Sequence, residues 1–164
     1  MQTTKRQLLI GIVIIVGLQF NSFAQLNTSE IKSLSKGADL ILTGKVAQQS
    51  SSWNENKTRI YTQATIQVEE YLKGNNNSGA VVVSYPGGEV GDVGEMYSHL
   101  PRFEDNEEVL VFLKKDDKST NYKVFNGEEG KINVIIDPKT GEKVTTSNVQ
   151  INSIKAQIKS YIND

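Results

Sequence analysis

The residues best suited to chemistry lie in one stretch, "SYPGGEVGDVGEMYSHLPRF", residues 84–103. It holds the glycines Gly87, Gly88, Gly91 and Gly94, the acids Glu89, Asp92 and Glu95, the aromatic Tyr97 and the chain's one histidine, His99. Each chemistry that these residue types could serve has a demanding pattern. A phosphate-binding loop must end in Gly-Lys-Ser/Thr, and a dinucleotide fingerprint must open a helix; Pro101 follows here and neither pattern is met. His99 with Ser84 or Ser98 and Asp92 has the residue types of a hydrolytic triad, but no G-x-S-x-G elbow presents either serine. Zinc needs three or four ligands, mostly His or Cys, and the chain has one His and no Cys. Glu89, Asp92, Glu95, Glu104, Asp105, Glu107 and Glu108 offer oxygen ligands for calcium, but without D-x-D-x-D-G spacing they read as solvated charge. Paired carboxylates could also serve glycoside cleavage, although only Trp53, Tyr97 and Phe103 lie near the loops to stack a sugar. These patterns predict no catalytic residue, no cofactor and no metal. They leave a binding loop, exposed and acidic from Gly87 to Glu95 and anchored at its far end by Pro101 and Phe103.

Such a loop needs a scaffold, and the first 24 residues are not part of it. Lys5 and Arg6 precede an apolar run from Leu8 to Leu18, and Ser22 and Ala24 stand at the −3 and −1 positions of a cleavage site before Gln25. That is the pattern of a secretory signal peptide, and the run is shorter than the roughly 20 residues of a spanning helix. The remaining 25–164 suits one domain with a real core. Without Lys5 and Arg6 it carries 16 basic and 19 acidic residues, a net charge of −3. This balance argues against nucleic acid or an anionic membrane surface as partner. An exported chain without cysteine suits a bacterial periplasm or exterior and has no disulfide or thiolate site to hold it together.

Periodicity then supplies the elements. Asn27 and Glu30 can cap a short helix with Ile31 and Leu34 on one face. "DLILTGKVAQ" reads as a strand, "SSSWNENKT" as a polar loop within 48–58, and "RIYTQATIQVEEYL" as a long strand. In that strand Ile60, Thr62, Ala64, Ile66 and Val68 face the core, and Tyr61, Gln63, Thr65, Gln67 and Glu69 face water. "AVVVSY" and "EEVLVFLKK" follow as strands, then "YKVF" and "GKINVII" as a strand pair or one bulged strand, and a short return strand near Val144. Ser147 and Gln150 form a capping box for a C-terminal helix with Ile151, Ile154, Ile158, Tyr161 and Ile162 on one face. Five or six strands with a helix at each end, and no βαβ alternation, predict a mainly β fold, a single small barrel.

In order, "ADLILTGKV", "IQVEEYLKG", "YPGGEVG", "PRFEDNEEVLVFL" and "GEEGKINV" resemble a family of uncharacterised exported bacterial proteins, over roughly Ala38 to Val134. More distantly the layout is similar to netrin-like modules and tissue inhibitors of metalloproteinases, which implies an OB-like barrel. Those inhibitors chelate the protease zinc through an N-terminal cysteine, whereas this chain has Gln25 there and no cysteine. The resemblance implies the fold and not that chemistry.

The expectation is therefore a secreted, monomeric, non-enzymatic binding module for a protein or polymer ligand, with no membrane association once the leader is removed. Its candidate binding residues are Trp53, Gly87, Gly88, Glu89, Asp92, Glu95, Tyr97 and His99; Trp53 enters because exposed Trp is enriched at binding hot spots. The alternatives are a netrin-like protease inhibitor acting by loop insertion and a carboxylate-based hydrolase. Sequencing the N-terminus of the exported protein should return Gln25 as the first residue; recovery of the full-length chain in the membrane fraction would overturn the leader reading.

Overall fold

The computed structural model describes residues 28–75, 77–117 and 119–163. The leader over residues 1–24 and the capping Asn27 lie outside the described residues. In chain order the elements are α1 (Thr28–Gly37), β1 (Leu40–Trp53), β2 (Ile60–Lys73), β3 (Ala80–Pro86), β4 (Gly88–Val90), β5 (Val93–Glu95), β6 (Glu108–Lys115) and β7 (Tyr122–Val124). A 3₁₀ turn (Gly127–Gly130), β8 (Lys131–Ile136), β9 (Lys143–Thr145) and α2 (Ile151–Asn163) complete the chain. Five strands close on themselves in the order β1-β2-β3-β7-β6 and back to β1, giving an OB-like barrel. Among the described residues only the β3–β7 seam is parallel, and it is one residue pair long, Val83 with Tyr122. β8 and β9 extend the sheet beyond β6. Among the described residues no helix is long and apolar enough to cross a membrane.

The continuous apolar run of β6 is explained by burial on both faces. Val109, Val111 and Leu113 point into the barrel, and Leu110 and Phe112 point outward under the two helices. There they meet Ile31 and Leu34 of α1 and Ile151, Ile154 and Ile158 of α2, so the periodic faces of both helices are spent on one outer core. The helices are tied down by β2. The Lys73 ammonium donates to the carbonyls of Ser35, Lys36 and Ala38 at 2.7–3.1 Å, satisfying the acceptors that the end of α1 leaves without helical partners. Glu70 accepts from Lys155 and Lys159 of α2 at 2.9 and 3.0 Å, and these bonds hold its carboxyl below the usual carboxylate range.

Three local expectations are corrected. β1 does not stop near residue 48; it runs to Trp53, and the loop to β2 is only residues 54–59. That loop is held by Asn54, whose side-chain oxygen accepts from the amides of Thr58 and Arg59. The segments at 122–124 and 131–136 do not pair with each other; both lie along β6, at different positions. The capping box at Ser147 is out of frame, because α2 begins at Ile151; the Thr145 hydroxyl instead accepts from the amides of Ser147 and Val149 in the turn before it.

The alternation in β2 is observed as read except at Thr65 and Val68, which are both half-buried. Ile60, Thr62, Ala64 and Ile66 are buried, and Tyr61, Gln63, Gln67 and Glu69 are exposed. Ile66→Ala should therefore destabilise the fold by about 2–5 kcal/mol as a core truncation, and Gln67→Ala should stay within about 0.5 kcal/mol. Equal losses in chemical denaturation would contradict this register.

Candidate functional site

The candidate site begins with one extra residue in β1. Val46 pairs with Ile66 and Gln48 pairs with Thr65, which leaves Ala47 without a partner, a β-bulge. Before it the inward residues of β1 are Leu40, Leu42 and Val46; after it the half-buried residues are Gln49, Ser51 and Trp53. One residue of slip moves a whole set of side chains to the other face. The bulge thus aims Gln49 and Ser51 at one end of the barrel, where Thr62 of β2 and Tyr85 of β3 join them. The barrel interior changes there from aliphatic to hydroxyl and amide.

Those polar groups are satisfied by what covers them. The Thr62 hydroxyl donates to the Gly87 carbonyl at 2.6 Å, which spends its one proton. Ser51, 2.8 Å away, is then the donor to Thr62. The Gly87 amide donates to the Ile60 carbonyl at 2.8 Å. A Cβ on Gly88 would lie 2.2 Å from the Thr62 hydroxyl oxygen, so only a glycine lets the backbone settle this low.

From this anchor residues 88–95 rise as a hairpin, a correction to the irregular loop expected here. β4 and β5 pair Gly88 with Glu95, Glu89 with Gly94 and Val90 with Val93. The turn is Gly91–Asp92, with Gly91 at φ 61, the glycine-first composition of a type II′ hairpin. Glu95 is not a free surface acid. Its carboxylate accepts from the Ile60 amide at 3.1 Å and from the Tyr97 hydroxyl at 3.0 Å, bracing the returning strand against β2. The bond to this anion raises the Tyr97 pKa above its ordinary value, and Arg59 lies 6.0 Å from the ring centre.

The opposite wall is residues 100–107. Phe103 is 4 % exposed and tilts against Tyr85 at 5.6 Å between ring centres, while the Lys131 ammonium sits 4.9 Å from its ring. Lys131 also donates to the Arg102 carbonyl and reaches the two Glu107 oxygens at 2.8 and 3.0 Å. The side chains of this ion pair are only 8 % and 14 % exposed. Removing one partner of so buried a pair destabilises by about 3–5 kcal/mol. Glu107 is therefore not solvated charge as its neighbours suggested, and Glu108 too is paired, with Lys143 at 2.8 Å. Tyr85 donates to Gln49 at 2.8 Å, and burial raises its pKa.

Between hairpin and wall runs an open cleft of about 660 Å³. It gathers Gly87, Gly88, Glu89, Glu95 and Tyr97 of the sequence candidates. It leaves out Trp53, which lies half-buried in β1 opposite Ile60, and Asp92, exposed at the hairpin turn. His99 also lies outside it. That residue is exposed at φ 64, and its carbonyl accepts from the Glu128 amide at 3.3 Å, where a Cβ on Gly127 would lie 2.5 Å away. The sequence reading missed Gln49, Ser51, Thr62, Met96, Leu100 and Arg102 in the lining. A second depression of about 450 Å³, lined by Glu30, Arg102, Glu128, Glu129 and Lys131 among others, holds none of the candidates and charges of both signs. Among the described residues no three His, Cys, Asp or Glu side chains converge as metal ligands.

The brace has a pH signature. A pKa raised by folding contributes stability that is present below tyrosine's ordinary value of about 10 and is lost as pH rises through the folded value. Glu95→Gln keeps an acceptor oxygen and removes the charge, so in an NMR titration Tyr97 should ionise closer to about 10 than in the wild type. Glu95→Ala leaves the Ile60 amide without its acceptor, a loss of about 1–3 kcal/mol, and should speed hydrogen exchange across β4 and β5. Unchanged exchange would place Glu95 outside the brace. No protein-family model and no curated protein matches this chain.

Proposed function

We propose that the chain is an exported, non-enzymatic binding module whose contact surface is the β4–β5 hairpin and the cleft beside it. The observation that carries this reading is the contrast along the hairpin. Its base is bonded to the barrel through Thr62, Ile60 and Glu95, while Asp92 and Val93 at its tip, Glu89 in β4 and Met96 just past β5 stay exposed. A preorganised element loses little conformational freedom on binding, so more of its contact energy is available as affinity. The carboxylates of Glu89 and Asp92 favour a basic surface on the partner. Of the acids that a hydrolytic reading would use, Glu95 is committed to Ile60 and Tyr97. A rigid barrel that carries its ligand face on one projecting segment is a common division of labour.

Glu89→Ala combined with Asp92→Ala should leave stability within about 0.5 kcal/mol and reduce capture of the native partner from the secretome of the producing cells. Raising salt from about 0.1 M to about 1 M shortens the screening length from about 10 Å to about 3 Å and should release the same partner from the wild type. Capture that survives both changes would overturn this reading.

A further inference from the structure

Three of the four hairpin glycines are required by the fold, and the fourth is not. Gly87 has φ 103 and a Cβ there would lie 2.9 Å from the Glu95 carbonyl oxygen; Gly88 has φ 124 and faces the Thr62 hydroxyl; Gly91 has φ 61 in the turn. Gly94 has no such φ, and the nearest atom to a Cβ built on it is Glu89 Cγ at 3.4 Å, an ordinary contact. The fold would accept a side chain at Gly94. Glycine inside a strand weakens it and marks places where a ligand or another backbone comes close.

The backbone of Gly94 is placed for such an approach. A two-residue turn makes Val90 with Val93, and Gly88 with Glu95, the hydrogen-bonded pairs. Glu89 and Gly94 are then the non-bonded pair, with N–H and C=O turned outward. β4 lies over β1 and β2, whereas β5 pairs with β4 alone among the described residues. Gly94 is exposed, and among the described residues its backbone makes no hydrogen bond outside the β4–β5 ladder.

We propose that the outer edge of β5 receives an extended, basic peptide segment of a partner protein as a third strand centred on Gly94. This rests on the binding reading above and names its ligand. Main-chain bonds to an edge supply affinity, and neighbouring side chains supply selectivity. The selectivity follows from the missing side chain. Glu89 stands on the same face as Gly94, so the residue that pairs with Gly94 from the added strand faces Glu89 across two strand spacings, roughly 10 Å. A Lys or Arg side chain and a Glu side chain together span that gap. Asp92 adds a second negative charge at the turn, and Met96, 72 % exposed just beyond β5, offers apolar contact to the same segment.

The probe is an acetylated, amidated peptide Ser-Thr-Val-Lys-Val-Thr-Ser, with counterparts carrying Glu or Ala at the centre, titrated into the ¹⁵N-labelled chain 25–164. The Lys peptide should shift the Gly94 amide in the direction of a new hydrogen bond and bind about two- to fivefold more tightly than the Ala peptide, with the Glu peptide weakest. Gly94→Pro removes the outward N–H and no bond of the hairpin, and should abolish the peptide-induced shifts of the neighbouring Val93 and Glu95 amides. Gly94→Val, the safer change for folding, should leave the melting temperature unchanged or raised and erase the preference for Lys over Ala. Peptide shifts within residues 84–103 that survive Gly94→Pro would overturn the strand addition and leave the binding reading standing. Secretome capture retained by Gly94→Pro would do the same. A Gly94 shift that depends on protein concentration without peptide would assign the edge to a second copy and overturn the proposal, as would no shift at Gly94 with any of the three peptides.

Discussion

The bond from the Thr62 hydroxyl to the Gly87 carbonyl decides the geometry of the whole face. A barrel whose inward positions turn polar at one end must satisfy those hydroxyls or lose stability for each one left unpaired. Here they are satisfied by main chain from the segment that leaves β3. Main chain can come that close only where no side chain intervenes, which explains the adjacent pair Gly87 and Gly88. The hairpin's position is therefore a consequence of barrel chemistry. Its base could not be moved outward without stranding Thr62 and Ser51.

The opposite wall is fixed by a different kind of interaction. Phe103 is buried against Tyr85, near the end of β3, where an aromatic ring fills space that hydrogen bonds do not. Lys131 lies over that ring and pairs with Glu107, so a single ammonium joins β8 to the start of β6 through the anchored loop. The two walls of the cleft thus rest on different interactions, hydroxyl and carboxylate bonds to β2 under the hairpin and a buried ion pair beside Phe103, and Tyr85 touches both.

Much of this fold was legible in the sequence, where a single physical constraint acts at a time. The alternation from Ile60 to Ala64 survived because this part of β2 is wet on one face only, and the two helices showed their stripes because each buries one face on a common core. What could not be read are features set by partners distant in sequence. Trp53 looked like a loop residue because the bulge at Ala47 changes the strand's phase, and only pairing with Thr65 and Ile66 reveals the change. Glu95 and Glu107 looked like solvated acids because their partners, Ile60 and Lys131, lie 35 and 24 residues away. The members of the acidic cluster divide between bracing the fold and facing solvent.

That division also orders the glycines, which composition alone treats alike. A glycine at positive φ, or one packed against a hydroxyl, is explained by the fold it permits, and replacing it would disturb the scaffold first. A glycine at ordinary φ with room for a side chain has no such explanation. In a strand it lowers stability and adds no packing, so some other benefit must offset the loss. At Gly94 the available benefit is an open, flat approach to an unpaired edge beside a carboxylate. The residues that build the hairpin and the residue that leaves it open are therefore separable by substitution, a property that a simple connecting loop would not have.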